Sequence, residues 1–211
     1  MPAPNPIYII DLMGDNANPP GGVFAKHLAS SLIDLKLGPS LLNGSTRGRL
    51  YESVLEIERQ VGGNKPFFPV VHFFGHGNAD GIAVHENSES VDWTQLREVL
   101  RPLQQTSQGN IVFCFDVCHG LKGFKIARRF FPLPFLALIG PNQPIGGVES
   151  LRAFTEFYKA ASVDIADLDN AVNRMNVASG YADERYEWVI GTKWTFDFTG
   201  KTKGIDLIPD D

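Results

Sequence analysis

Apolar runs of strand length alternate with longer amphipathic stretches along most of the chain. Residues 6–14 (PIYIIDLMG), 70–74 (VVHFF) and 110–117 (NIVFCFDV) are apolar at successive positions, which is typical of strands buried on both faces of a parallel sheet. Between the first two, residues 22–38 carry apolar side chains at a spacing of about 3.6 residues, which predicts a helix. The pattern therefore predicts strands connected by helices.

Capping and turn signals mark further elements. Asp92 is followed three residues later by Gln95, a capping-box pattern that starts a helix. Asp164 is the predicted N-cap of the last helix, and Gly180 its end. Residues 81–91 predict a small hairpin. The other predicted elements are a short strand at 40–42, a helix at 50–61, a helix at 121–130, a strand at 134–140, a helix at 148–161 and a last strand or hairpin at 185–198.

This alternation predicts an α/β fold, a three-layer α/β/α sandwich in which helices cover both faces of a mostly parallel sheet of about six strands. The length of 211 residues favours a single domain over residues 1–211, with a core at 1–200 and a tail at 201–211. Residues with functional roles are then expected beyond the carboxyl ends of the strands.

Composition and charge disfavour some classes of partner and predict the state of the cysteines. The net charge is -5 and the 19 Lys and Arg residues are scattered, so a nucleic-acid partner is disfavoured. No apolar run approaches the roughly 18 residues of a membrane span, and the first residues lack the pattern of a signal peptide, so we expect no membrane partner and a cytoplasmic protein. Cys114 and Cys118 lie about 13 Å apart on an extended strand at about 3.3 Å per residue, which predicts two free thiols.

Two strand ends carry a histidine and a cysteine. The run VVHFFGHG places His76 after its strand, and IVFCFDVCHG places Cys118 after the other. If these strands are adjacent and parallel, the two side chains emerge at the same sheet edge. An imidazole beside a thiol is the minimal unit of nucleophilic cysteine catalysis, and the backbone N–H groups near Gly77 and Cys118 are candidates for an oxyanion hole.

Asp116 and the other polar residues have alternative interpretations. Asp116 shares the strand face of Cys118 and is either the acid of a pocket for a cationic side chain or a cap for the following turn.

His72 and Cys114 are expected in the core, His119 in a structural hydrogen bond, and His27 and His85 in solvent. A zinc site formed by His72, His76, Cys118 and His119 lacks ordinary ligand spacing. GHGNADG lacks dinucleotide-loop spacing, and the chain has no phosphate-binding P-loop motif.

The segments HFFGHGNADGIAV (72–84) and IVFCFDVCHG (111–120) resemble the caspase-like cysteine peptidases, which include caspases, metacaspases, clostripain-like enzymes and CHAT domains. The resemblance implies a caspase-like fold, a cysteine endopeptidase with a His76–Cys118 dyad, and N–H donors from Gly77 and Cys118. One departure is that Gly120 follows His119 directly, where the family usually has C-H-S-G.

The resemblance also implies what the site acts on. Asp116 matches the acid that binds Arg or Lys before the cleaved bond, and Asp11 or Asp15 matches a second pocket acid of some members. The expected partners are a protein or peptide substrate and, as in CHAT-type proteins, a regulatory or sensor protein. No metal and no cofactor is expected. The alternative is a catalytically inactive caspase-like module that binds a partner protein.

Overall fold

The computed structural model describes residues 5–14, 22–62, 68–84, 89–127, 135–162 and 167–190. The strands are β1 Ile7–Asp11, β2 Ser40–Asn43, β3 Val70–Phe74, β4 His76–Asn78, β5 Gly81–Val84, β6 Glu89–Asp92, β7 Val112–Asp116, β8 Ala137–Pro141 and β9 Tyr186–Ile190. The helices are α1 Gly22–Asp34, α2 Arg47–Gly62, α3 Trp93–Thr106, α4 Gly147–Ala161, α5 Leu168–Ser179 and a 3-10 helix, Gly120–Ala127.

The main sheet has six strands in the order β2-β1-β3-β7-β8-β9. All neighbouring pairs are parallel except β8 and β9, which are antiparallel. The two apolar runs that end in histidine and cysteine are direct neighbours, with His72 opposite Cys114 and Phe74 opposite Asp116. The predicted α/β fold with a mostly parallel sheet of about six strands is confirmed.

Each face of the main sheet packs against its own set of helices. On one face, strand residues such as Ile9 and Cys114 join a core with α1, α4 and α5. On the other face, Ile10 and Phe113 join a second core with α2 and α3. Because both faces are covered, the central strands need apolar side chains at almost every position, which explains the continuous apolar runs.

The predicted hairpin and capping box are both present. Strands β5 and β6 pair antiparallel, and β4 adds a third strand that starts at His76. The Asp92 carboxylate accepts a hydrogen bond of 2.8 Å from Gln95 N, and the Gln95 side chain accepts one from Asp92 N. The small sheet β4-β5-β6 therefore starts directly after β3 and leads into α3.

Two predicted helices differ from the structure, and a third prediction, the last hairpin, is only partly described. The helix predicted at 121–130 is the 3-10 helix Gly120–Ala127, which lies against β7. The N-cap of α5 is Asp167, whose side chain accepts from Asn170 N at 3.1 Å, and not Asp164, which lies outside the described residues. The left-handed Gly180 ends α5 as predicted. Strand β9 ends at Ile190, and the remainder of the last predicted hairpin and the tail lie outside the described residues.

The 3-10 helix is held by close packing on β7, a contact that helical periodicity does not encode. A Cβ on Gly123 would lie 2.8 Å from Phe115 Cδ2. Within the described ranges, no helix is both long and apolar enough to cross a membrane.

Candidate active site

A pocket of about 140 Å³ opens at the carboxyl ends of β3 and β7. His76, Asp116 and Cys118 all line this pocket. The sheet explains why they meet: Asp116 and Cys118 are two residues apart and share a face, and His76 follows the paired strand by the same two residues. Apolar walls come from Met13, Phe24, Phe74 and Ile145.

The segment that carries His76 lies against the segment that carries Cys118. A Cβ on Gly77 would lie 2.8 Å from Val117 Cγ2 and 3.1 Å from Cys118 O, which is too close for any larger residue without a shift. Upstream, Gly75 N donates a hydrogen bond of 3.2 Å to Asp116 O. The two chains therefore run side by side past the end of the sheet. The assignment of the Gly77 and Cys118 N–H groups to an oxyanion hole stays a prediction.

The two cysteines have different environments, and both are free. Cys114 is fully buried, and burial raises the pKa of its thiol far above the usual range, so it stays protonated. Cys118 is partly exposed on the pocket, with Sγ 3.8 Å from Ile145 O. Because thiol reactivity requires access and thiolate character, the environment favours Cys118 as the reactive thiol.

Asp116 is buried in a polar contact between the sheet and α4. It is 2% exposed, and its Oδ1 accepts a hydrogen bond from the Ser150 hydroxyl. Its Oδ2 lies 3.4 Å from His72 Nε2. Ser150 belongs to the first turn of α4, where the helix dipole favours a negative charge. Neither contact is a cap for the turn that follows Asp116, and the assignment of Asp116 to the substrate pocket stays a prediction.

His72 lies beneath Asp116 in the core, as expected for an internal histidine. The side chain is fully buried, and Nδ1 lies 3.1 Å from the Tyr158 hydroxyl. Burial raises the pKa of Tyr158, so this hydroxyl keeps its proton and can donate it to Nδ1. Nε2 lies on the side of Asp116, 3.4 Å from its Oδ2 and without a hydrogen bond to it. A buried series of polar groups thus connects Tyr158, His72, Asp116 and Ser150.

His119 joins the turn after Cys118 to the loop that follows β8. It adopts a left-handed conformation with φ of 59°. Its N–H donates to Gln143 O at 3.3 Å, and its Nδ1 lies 3.1 Å from Asn142 O. Because a carbonyl oxygen only accepts, Nδ1 carries the hydrogen. His119 therefore has the structural hydrogen bond that we expected, and that bond holds the loop of residues 142–146, in which Ile145 and Gly146 line the pocket.

The same loop is held from its other side by the connection between α5 and β9. Gly146 N donates to the Tyr181 hydroxyl at 2.7 Å. Arg185 donates to Pro144 O at 2.8 Å and lies 3.8 Å from the centre of the Tyr181 ring. Sequence reasoning missed this wall of the pocket, including Ile145 and Ser150. The pair Gly146–Gly147 just before a helix was the only local signal for it.

Close packing explains why a glycine directly follows His119. Gly120 N donates to Val117 O at 2.9 Å and closes the turn. A Cβ at this position would clash with the backbone oxygen of Phe115. The departure from the family pattern thus places a glycine where the chain crosses its own strand.

Asp11 and Asp15 are the remaining predicted site residues, and the structure describes only the first of them. Asp11 is buried at the end of β1 and accepts a hydrogen bond of 2.9 Å from Met13 N. Phe74 of the intervening strand separates it from Asp116, which puts the two backbones about 10 Å apart at a strand spacing of about 4.8 Å. Its role in substrate binding stays a prediction, and Asp15 lies outside the described residues.

The structure also bears on the predicted positions of the other histidines and on the zinc site. His27 is exposed on α1, as expected, and His85 lies outside the described residues. Among the residues that the structure describes, no three His, Cys, Asp or Glu side chains are grouped as a metal site requires. The zinc alternative therefore has no geometric support in that part of the chain.

Comparisons with known proteins identify solved structures with a similar fold. No family model matches the chain, and no curated protein matches it by sequence. A solved structure of a secreted C11 cysteine protease from Bacteroides thetaiotaomicron, in complex with an irreversible peptide inhibitor, is similar over 89% of this chain with a TM-score of 0.57 and 10% identity. The chain has a caspase-like protease fold.

A second structure, the Arg specific cysteine proteinase gingipain R, aligns with 85% of the chain at 12% identity and a TM-score of 0.49. This chain covers 66% of the C11 protease chain and 43% of the gingipain chain. The similarity to the C11 protease structure confirms the expected caspase-like fold at the level of architecture. A closer relationship to metacaspases or CHAT domains stays a prediction.

Proposed function

We propose that this protein is a cysteine endopeptidase in which Cys118 is the nucleophile and His76 the general base. The observation that carries the proposal is that the partly exposed thiol of Cys118 and the imidazole of His76 line the same pocket. The second thiol, Cys114, is buried and kept protonated, so it does not compete as a nucleophile. The fold that the chain shares with a C11 cysteine protease supports the same reaction class.

The proposed reaction has two steps. In the first step His76 accepts the thiol proton, Cys118 Sγ forms a bond to the carbonyl carbon, and the N–H groups of Gly77 and Cys118 stabilise the oxyanion. The C–N bond then breaks, the leaving amine takes the proton from His76, and a thioester remains. In the second step a water molecule gives a proton to His76 and attacks the thioester, which releases the acid and the thiol.

The walls of the pocket support a basic side chain before the cleaved bond. Phe24, Phe74 and Met13 offer apolar surface for the methylene stem of Lys or Arg, and Asp116 offers a carboxylate. A buried carboxylate is costly unless it is paired, so a cationic side chain in this pocket gains a charged partner. The proposed substrate is therefore a protein or peptide cleaved after Arg or Lys, and the mechanism uses no metal and no cofactor.

A positional peptide library screened with the wild type and with Cys118→Ala tests this function. We expect cleavage after basic residues by the wild type and none by the variant. His76→Ala should lower kcat/KM by a factor of about 10² to 10⁴, the usual contribution of a general base, whereas His27→Ala on exposed α1 should not change it.

The alternative is an inactive module that binds a partner protein. Equal cleavage by the wild type and Cys118→Ala would overturn the assignment of the nucleophile. A folded wild type that cleaves nothing and does not react with an irreversible peptide inhibitor would favour the binding module instead.

A further inference from the structure

A single peptide group connects Cys118 with Tyr181. The Cys118 thiol donates a weak hydrogen bond to Ile145 O, with Sγ 3.8 Å from the oxygen, and Gly146 N donates to the Tyr181 hydroxyl at 2.7 Å. Ile145 O and Gly146 N belong to the same planar unit, in which the C=O and N–H bonds point in opposite directions. Tyr181 therefore holds this peptide group so that its carbonyl oxygen, and not its N–H, faces the sulfur of Cys118.

A carbonyl oxygen beside the sulfur favours the thiol over the thiolate. The oxygen accepts the hydrogen of the neutral thiol, but its partial negative charge repels a thiolate. An N–H in the same place would have the opposite effect, because a donor stabilises the anion that forms when His76 takes the proton. The orientation in the structure is therefore that of a resting site, in which Cys118 keeps its hydrogen.

Gly146 has the conformational freedom that a rotation of this peptide group requires. Its φ of −92° and ψ of 151° lie in the extended region, which any residue adopts. A Cβ there would meet the flexible end of the Glu149 side chain and would lie 3.6 Å from the Tyr181 hydroxyl, an ordinary contact. This conformation thus gives no backbone reason for a glycine. A half-turn of the peptide group would take φ of Gly146 to positive values, which glycine adopts without steric cost.

The chain on both sides of this peptide group is anchored separately. Arg185 donates to Pro144 O at 2.8 Å, and its guanidinium lies 3.8 Å from the centre of the Tyr181 ring. Asn142 N donates to Arg185 O at 2.8 Å, and Ser150 N donates to Gly146 O at 2.9 Å. The peptide group between residues 145 and 146 can therefore turn while the rest of the loop and the first turn of α4 keep their hydrogen bonds.

We propose that the peptide group between Ile145 and Gly146 is a two-state switch for Cys118, and that Tyr181 is the positioning residue that holds it in the resting state. In the active state the peptide group has turned, Gly146 N faces Sγ, and the thiol proton has passed to His76. The inference rests on Cys118 as the nucleophile of the proposed function, and it adds a control on when that nucleophile is reactive.

The pH dependence of alkylation by iodoacetamide tests the switch, since the thiolate is the species that reacts. Tyr181→Phe removes the acceptor of Gly146 N but keeps the ring beside Arg185. We expect Cys118 in this variant to react about tenfold faster at pH 7 and to reach half its maximal rate about one pH unit lower than in the wild type. The maximal rates at high pH should agree, whereas a wall that had merely loosened would raise the rate by the same factor at every pH.

Gly146→Ala tests the same peptide group in the opposite direction. Alanine disfavours the turned state because that state requires a positive φ, so alkylation at pH 7 should slow severalfold and its half-maximal rate should need a higher pH. This variant and its reference both carry Glu149→Ala, which removes the side chain that the new Cβ would meet. His76 and Asp116, the titratable side chains that line the pocket with Cys118, are unchanged throughout.

Tyr51→Phe is the control, since Tyr51 is an exposed tyrosine on α2, and it should keep the wild-type pH profile. Alkylation requires no turnover, so the expected shifts support the switch even if the wild type cleaves no peptide, a result that would contradict only the endopeptidase function. An unchanged pH of half-maximal alkylation in Tyr181→Phe or in Gly146→Ala, or a shift of both in the same direction, overturns the switch.

Discussion

Gly77 lies so close to Val117 that a Cβ added to the glycine would be 2.8 Å from Val117 Cγ2. This contact fixes the chain after His76 against the chain before Cys118. Gly77→Ala should therefore push the two segments apart, lower kcat/KM at least tenfold and destabilise the fold by about 1–3 kcal/mol, as overpacking usually does. Steady-state kinetics and urea unfolding measure the two effects.

Gly48→Ala is the matched control for Gly77→Ala. Gly48 lies in α2, and a Cβ there would be 3.9 Å from Thr46 Oγ1, an ordinary contact. The alanine should leave activity unchanged and stabilise the helix by about 0.5–1 kcal/mol. Full activity in Gly77→Ala would show that the close approach of the two segments has no role in the site.

Alkylation should distinguish the two thiols. At pH 8, limiting iodoacetamide should modify Cys118 and leave Cys114 unmodified, because Cys118 is partly exposed and burial raises the pKa of Cys114. Mass spectrometry of proteolytic peptides gives the extent of modification at each position. In urea both thiols should react. Preferential labelling of Cys114 in the folded protein would contradict the assignment of the reactive thiol.

Replacing the carboxylate of Asp116 tests the specificity of the pocket. Asp116→Asn keeps the shape of the side chain but removes its charge, so kcat/KM for peptides with a basic residue should fall by roughly 10², the value of a charged pair of about 3 kcal/mol. Cleavage of peptides with a neutral residue should change much less. Asp34→Asn on the exposed part of α1 serves as the control. An unchanged preference for basic residues would remove Asp116 from the substrate pocket.

His119 is expected to position the pocket wall without taking part in the chemistry. His119→Gly keeps the left-handed conformation but removes the hydrogen bond to Asn142 O. We expect KM to rise severalfold, whereas the rate at which iodoacetamide alkylates Cys118 stays unchanged. Lys36→Gly is the control, since Lys36 is an exposed residue with φ of 63° far along the chain from the site, and it should leave KM unchanged. A large fall in kcat with constant KM would instead indicate a role in the reaction.

Folding stability should fall at alkaline pH. Burial raises the pKa of Cys114, Tyr158 and Tyr186 above their ordinary values of 9.0, 10.0 and 10.0. Below those values each group is protonated in both states, and above them only the unfolded state releases the proton. The folded state then binds more protons, so the free energy of unfolding decreases as the pH rises above about 9, by about 1.4 kcal/mol per pH unit for each group.

Tyr186→Phe isolates one of these contributions. The Tyr186 hydroxyl has no hydrogen-bond partner among the described residues, so the substitution should cost little at pH 7. Above pH 10 the free energy of unfolding should decrease less steeply with pH than in the wild type, because unfolding of the variant releases one proton fewer. Urea unfolding between pH 7 and 11 measures both curves, and parallel curves would contradict the prediction.

Local sequence patterns placed His76 and Cys118 at the ends of two strands, and the pairing of those strands, which the sequence left as a condition, brings them to one edge of the sheet. Two continuous apolar runs require strands buried on both faces, and parallel neighbours end together, so the residues after them meet. The partners of Asp116 could not be found in this way. Ser150 is 34 residues further along the chain, and its hydrogen bond depends on how α4 packs on the sheet.

The start of α5 shows the same limit on a smaller scale. Asp164 and Asp167 are both acceptable N-caps by residue type, and the backbone decides in favour of Asp167. The bond between His119 and Asn142 also joins two loops whose sequences carry no mutual signal. The positions of the strands and their burial on both faces follow from composition and period, whereas strand order and contacts between distant loops follow from tertiary packing.

The wall formed by residues 142–146, together with Ser150 of α4, has a consequence for the order of synthesis. A nascent chain that has emerged only as far as Gly120 already contains His76, Asp116 and Cys118, but it lacks β8 and the first turn of α4. The pocket is therefore incomplete on the ribosome until about residue 150 has emerged. The nucleophile that we propose therefore gains its binding pocket only after residues about 30 positions further along the chain have been synthesised.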